Sequence, residues 1–331
     1  ESSHSYPIDA PRPGYAETDP ERWLEALSDA LGRLPDLARV RSIGLSGQMH
    51  GVVPVSRQTG AATGRAIIWA DSRARHYLPR IEAEEALVAE ALRNAPAAGM
   101  AASTLLWLKE EAPDTYARSD LFLFPKDFIR WKLTGEIATD RSDASGTLLY
   151  DFRSREWSRE LLALLDIDPE RLPPIRRSLE IGGRVTPEAA ERFGLPEGVA
   201  VAIGAGDTPA AMYGADLRDP RLVQVSVGTA AQVARPVSGL PDYNSGVNLF
   251  EGVEEPVRYR IAAMLNGGIA LEWVRRTLGF DWQALYREVE SGGSLPSRDL
   301  YFLPYLTGER TPYMDPEARG AWIGLSLHHT P

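Results

Sequence analysis

Three features of this 331-residue chain predict a layered α/β fold in two domains. Short apolar runs alternate with stretches of helical periodicity, the pattern of strands covered by helices. One such run, residues 199–203, breaks into Gly204-Ala205-Gly206-Asp207-Thr208-Pro209 and an Ala-rich helix. With 44% hydrophobic and 25% charged residues the composition is that of an ordinary globular protein, and the length suits two domains.

In chain order, the first helix follows a capping Asp19, with Pro20 in its first turn and Trp23, Leu24, Leu27 and Leu31 on one face. A strand is predicted over 40–45, then the turn Ser46-Gly47-Gln48-Met49-His50-Gly51, then 52–55 as its continuation or hairpin partner. Residues 65–69 read as a strand ending in Trp69-Ala70-Asp71-Ser72-Arg73. A long charged helix is expected from there towards Leu92, with Asp71 or Ser72 as its cap. Residues 99–111 are helical, 121–124 form a buried strand, and Pro125-Lys126-Asp127 opens a helix that Gly135 stops. The segment 139–146 reads as a polar loop, 157–165 as a helix, and Thr186-Pro187 starts a short helix closed by Gly194. After Asp207 a second buried strand is predicted over 222–227, broken at Gly228-Thr229.

Turn and acidic residues over 238–258 set the domain boundary, giving 1–245 and 246–331. The second part carries a strand at 259–265, a Gly267-Gly268 turn, helices around Trp273 and Trp282 and a strand near Trp322. It is near the size at which a single core is marginal, so the second domain is read as incomplete.

The formal net charge of −10 argues against a nucleic-acid or anionic-membrane partner, because no basic stripe can neutralise phosphates. A small anion could still be held locally. With no cysteine there is neither a disulfide framework nor a thiolate metal site, which fits the cytoplasm. No apolar run approaches the ~20 residues that a membrane span requires.

Asp207 is the leading catalytic candidate. Two glycines let the chain turn at a strand end, and a carboxylate in the first helical turn sits in the positive field of the helix N-terminus. The same pattern also serves as a plain helix cap. Gly228-Thr229 offers backbone N–H groups and one hydroxyl, which suits a phosphate. No P-loop sequence is present, and Pro209 stands where a dinucleotide-binding motif needs its third glycine. His and carboxylate spacings do not match a metalloprotease, His328-His329 reads as a solvated pair, and no serine sits in a nucleophile elbow. Taken singly, Met49 and Trp69 read as core, His50 as a turn histidine and Arg73 as a solvated charge.

Their order along the chain changes this reading. Ser46 to Gly51, Trp69-Ala70-Asp71-Ser72-Arg73, Pro125-Lys126-Asp127, Ser142-Asp143-Ala144-Ser145-Gly146-Thr147, Gly206-Asp207, Ser226-Val227-Gly228-Thr229 and Leu303 to Pro312 form an ordered set. With that set the chain resembles the FGGY family of carbohydrate kinases from about Tyr15 to its last residue, and within it the members acting on D-xylulose. The resemblance implies an actin-like ATPase fold of two ribonuclease-H-like α/β domains, with a cleft between them. It implies Asp207 as general base, Met49, His50, Trp69 and Thr208 around the sugar, and Gly228, Thr229 and Gly268 at the nucleotide. ATP and Mg²⁺ are the implied cofactors, and D-xylulose 5-phosphate the implied product.

Against the family pattern, the chain starts beyond an Asp-x-Gly-Thr phosphate loop and stops before a Gly-Gly-Gly adenine site; Thr104 replaces a lysine and Ala230 a serine. Two other readings follow: a truncated sugar-binding fragment without catalysis, or a kinase for another acceptor such as ribulose, glycerol or gluconate. Open sheet edges at the ends would favour aggregation or a homodimer.

Overall fold

The computed structural model describes residues 1–291, 300–315 and 317–329. They divide into two units, Glu1–Pro220 with Pro236–Ser245 and Leu249–Tyr259, and Arg221–Arg235 with Gly246–Asn248 and Arg260–Pro331.

In the first unit the apolar strands have both faces buried. Alternate residues of a strand point to opposite sides, and here Val53, Val55, Ala66, Ile68, Leu121 and Leu123 join one apolar cluster while Val52, Ile67, Phe122 and Phe124 join another. Strands Val53–Val55 and Leu121–Leu123 run antiparallel, with Val53 opposite Leu123 and Val55 opposite Leu121. Helices Pro20–Gly32 and Pro125–Thr134 cover the first cluster through Trp23, Leu24, Phe128 and Leu133. Helix Ala101–Glu111 covers the second through Leu105, Leu106 and Leu108. This is the predicted layering of helix, sheet and helix; each large apolar side chain so buried contributes about 1.5–3 kcal/mol.

Local signals set the helix ends as expected. The Asp19 carboxylate accepts from the Glu21 N–H at 3.0 Å, and Gly135 and Gly194 close their helices in left-handed backbone at φ of 73° and 66°. Two stretches differ from expectation. The helix foreseen towards Leu92 is broken into Arg75–Tyr77, Leu78–Glu82, Glu85–Leu87 and a widened π-type turn Val88–Leu92. That widening brings Leu87, Val88, Ala91 and Leu92 together in the core. Asp71 caps no helix there; its carboxylate accepts from the Ala16 N–H and from the Arg73 guanidinium.

Nor is 139–146 a polar loop. Thr139–Asp140 pairs in parallel with Ile175–Arg176, a one-turn helix Arg141–Ala144 follows, and residues 142–147 are all buried. Polarity misled because these side chains satisfy one another and a buried lysine rather than water.

In the second unit, Gln224–Val227 pairs antiparallel with residues 231–234. The strand is present but not buried: Leu222, Val223, Val225 and Val227 are at least half exposed. Apolar β-branched sequence determines that a strand forms, not what packs on it. Helices Gly268–Leu278 and Trp282–Glu290 follow, the second capped by Asp281, and Tyr301–Leu303 pairs with Ala321–Ile323. Trp273 stacks on Phe302, which in turn meets Trp322. Among the described residues no helix is long and apolar enough to cross a membrane.

Candidate active site

Two parallel strand pairings bring distant motifs to one place in the first unit. Ala200–Ala202 runs beside Ser42–Ile43, and Ala205–Gly206 beside Ser46–Gly47, with Gly206 opposite Gly47. Parallel neighbours end at the same edge, where open α/β sheets usually bind ligands. Here that edge carries Gly206-Asp207 from one strand and Gln48-Met49-His50 from the other.

The packing at this edge is close. A Cβ on Gly206 would lie 2.6 Å from Met49 Cγ, and one on Gly146 would lie 2.9 Å from both Met49 Cε and His50 Cε1. A side chain at either position would therefore displace Met49, and at 146 the His50 ring as well. Met49 is buried. His50 adopts a left-handed backbone, φ 72°, and its Nδ1 donates to the Gly146 carbonyl at 2.5 Å. That bond fixes Nδ1 as the protonated nitrogen and orients the ring, which lies 5.9 Å from the Phe250 ring.

Asp207 opens the helix Asp207–Gly214. Its Oδ1 accepts from the Thr208 N–H at 2.7 Å and from the Thr208 hydroxyl at 3.4 Å. The side chain reaches solvent, yet the dense protein around it raises the carboxyl pKa above the usual carboxylate value; the Thr208 hydrogen bonds offset part of that rise.

Behind this edge lies a buried polar cluster that sequence reasoning missed. Lys126 Nζ approaches Asp127 at 2.7 Å, Asp140 at 3.0 Å and Asp143 at 3.3 Å, and all four side chains are buried. Burial alone would lower the lysine pKa, but the three carboxylates outweigh it and hold the ammonium charged. Asp143 is pushed up to about 8 by burial, with Lys126 opposing and the neighbouring carboxylates adding to the rise. Asp140 Oδ2 accepts from the Ser142 N–H, the Ser142 hydroxyl and, at 2.7 Å, the Ser178 hydroxyl. Ser142 Oγ in turn accepts from the Gly206 N–H at 3.0 Å. The sequence signal was only the place of Pro125-Lys126-Asp127 and of Ser142 to Thr147 in the ordered set of motifs.

Trp69 lies one step away. It is half exposed on the turn after Ala66–Ile67, and its carbonyl fills the space a Cβ on Gly99 would occupy. Gly51, directly after His50, abuts Ile67 and Ile68, so backbone packing links the two motifs.

The second unit brings together Gly228, Thr229 and Gly268. Gly268 N donates to the Gly228 carbonyl at 2.7 Å and Ile269 N to the Thr229 carbonyl at 3.1 Å. A Cβ on Gly268 would lie 2.6 Å from the Gly228 oxygen. The result is an exposed backbone turn whose Gly228 and Thr229 carbonyls take up the first N–H groups of the helix Gly268–Leu278. Nearby, Glu309 is buried, its Oε1 accepting from the Leu265 and Arg310 N–H groups. Among the described residues no group of three or more His, Cys, Asp or Glu side chains is arranged to hold a metal ion.

The N-terminal domain of the FGGY family of carbohydrate kinases matches residues 1–214, and its C-terminal domain matches 225–331. The chain is 34% identical to a xylulose kinase of Lactococcus lactis subsp. lactis over 99% of its own length and 66% of the relative's. It superposes on a xylulose kinase from Brucella ovis with a TM-score of 0.91 at 32% identity, covering 98% of this chain and 68% of that one. A gluconate kinase from Lactobacillus acidophilus gives 0.89 at 25% identity, over 99% of this chain and 68% of the other. The chain thus spans about two thirds of the length of these relatives. The mixed α/β architecture is the actin-like one of those sugar kinases, and the chain belongs to the FGGY family of carbohydrate kinases.

Proposed function

We propose that the protein transfers the γ-phosphoryl group of ATP to the terminal hydroxyl of D-xylulose, giving D-xylulose 5-phosphate and ADP, with Asp207 as general base. The observation that carries this reading is the packing of Gly206-Asp207 against Met49 and His50 at adjacent parallel strand ends. Similarity to a xylulose kinase over nearly the whole chain supports the choice of sugar. On this reading residues 1–245 bind sugar and residues 246–331 contribute to the nucleotide site.

Phosphoryl transfer needs positioning and charge stabilisation more than covalent help. The sugar oxygen bonds to the γ-phosphorus, the bond to the β-γ bridging oxygen breaks, and the hydroxyl proton passes to the Asp207 carboxylate. A carboxylate whose pKa is raised by its surroundings is a stronger base than one in water. Met49 supplies an apolar wall, and His50, its ring fixed by Gly146, presents a hydrogen-bonding edge to sugar hydroxyls. Trp69 would flank the pocket and Thr208 would steady the base. The exposed turn at Gly228 and Thr229, which packs on Gly268, would face the nucleotide phosphates, with the Thr229 hydroxyl as a donor. Mg²⁺ would arrive with ATP, held by its phosphates and not by a metal-holding cluster of carboxylates, of which the described residues have none, and would supply charge neutralisation there. The cytoplasm is the expected setting.

The similarity to a gluconate kinase makes gluconate the second candidate acceptor. Activity is to be measured on the protein as its gene encodes it. Asp207→Asn keeps the shape but not the proton acceptor; we expect turnover to fall about 10²–10⁴-fold while D-xylulose binding changes little. Unchanged turnover would remove the base assignment.

A further inference from the structure

We infer that Ser142 is a positioning residue for the phosphoryl-transfer step: through its hydroxyl it couples the buried Lys126–Asp140 pair to the peptide that carries Asp207, and so fixes the aim of that carboxylate. This rests on Asp207 being the general base.

The hydrogen-bond directions are unambiguous. Ser142 Oγ accepts the Gly206 N–H at 3.0 Å, so its own proton is free to go to Asp140 Oδ2, which lies within hydrogen-bond distance. Asp140 faces Lys126 Nζ at 3.0 Å through Oδ1 and accepts from the Ser142 hydroxyl through Oδ2. A charged, fully buried pair thus holds one hydroxyl in one rotamer, and that hydroxyl holds one peptide N–H. Gly206 has no side chain of its own to fix it, and a Cβ there is excluded by Met49.

A simple packing role would not need this chain of bonds. The neighbouring residues of the same strand are already held by backbone: Gly204 N donates to the Ser178 carbonyl at 3.0 Å, and Ala205 N to the Leu45 carbonyl at 3.0 Å. Only at Gly206, the last residue before the base, does a side chain replace a main-chain acceptor, and it is anchored to four ionisable groups, Lys126, Asp127, Asp140 and Asp143. From the other end of the same turn Gly146 orients His50. Residues 140–147 therefore buttress both the base and the sugar-contacting histidine from behind.

The experiment compares Ser142→Ala with Ser178→Ala, Ser142→Thr and Asp207→Asn. Ser178 donates to the same Asp140 oxygen, but its hydroxyl does not meet Gly206, so it reports what loosening the cluster does by itself. We expect Ser142→Ala to lower kcat roughly ten- to a hundredfold, the scale of a misplaced catalytic group, with KM for the sugar within about twofold. Ser142→Thr, which keeps the oxygen, should recover most of kcat. Ser178→Ala should lower kcat far less at a temperature where all variants remain folded. Equal kcat losses in Ser142→Ala and Ser178→Ala, or a Ser142→Ala enzyme with unchanged kcat, would overturn the positioning role. Turnover lost in Asp207→Asn but kept in Ser142→Ala would remove that role alone. Turnover kept in Asp207→Asn would remove the base assignment and the positioning role with it.

Discussion

At the scale of single residues, the proposed chemistry turns on how Asp207 is held. Its neighbourhood raises the carboxyl pKa, and the two hydrogen bonds from Thr208 pull it part of the way back. A general base must be deprotonated, so kcat/KM should rise with pH through this pKa and the acid limb should lie above the ordinary carboxylate range. Thr208→Val removes the hydroxyl donor and keeps the backbone one. The variant should therefore shift the acid limb to higher pH, and a pH profile of kcat/KM reads the shift directly. A limb that stays in place would mean that another group controls it. Asp207 itself was legible from Gly-x-Gly-Asp at a strand end, because glycine turns and helix starts are written locally. His50 was legible only as a member of an ordered motif set; the bond to Gly146 that orients it joins residues 96 positions apart.

Among elements, the segment 139–147 is the one whose sequence misleads most. Asp, Ser and Thr in succession look like a solvated loop, yet every position from 142 to 147 is buried. Propensity carries no information on whether a polar side chain finds its partner in water or in a lysine from another helix, and Lys126 lies 14 or more residues away from Asp140 and Asp143. Burying such a cluster is costly unless every charge is matched, and breaking one pair typically costs ~3–5 kcal/mol. Asp143 is the carboxylate held least closely: Lys126 Nζ lies 3.3 Å from it, and burial raises its pKa to about 8. In the unfolded chain it would titrate near 3.8. The folded state therefore binds the extra proton between these values, and the stability this confers is full below about 3.8 and is lost as pH rises to about 8. Asp143→Asn mimics the protonated form at every pH. Its melting temperature should gain on that of the wild type as pH is raised across this window, and parallel curves would refute the shifted titration. By contrast, the strands 53–55 and 121–123 and the helices against them were legible, since apolar period and caps decide them without distant partners.

For the whole molecule, the proposed reaction assigns sugar binding to the first unit and phosphate binding to the second. A net charge of −10 does not favour nucleotides at long range, so anion binding would have to rest on local groups. Sugar binding is expected to register in stability: a ligand at about 100 times its Kd stabilises the folded state by ~2.7 kcal/mol. D-xylulose should raise the melting temperature of the wild type by several degrees, and His50→Ala should lose most of that rise. An equal rise in the variant would place the sugar elsewhere.

The measurement that tests the central claim most directly is ADP release with magnesium–ATP across D-xylulose, L-ribulose, glycerol and gluconate, run beside Asp207→Asn. The account predicts turnover that is highest with D-xylulose and about 10²–10⁴-fold lower in the variant. Preference for gluconate or another acceptor, or release that Asp207→Asn leaves intact, would contradict it.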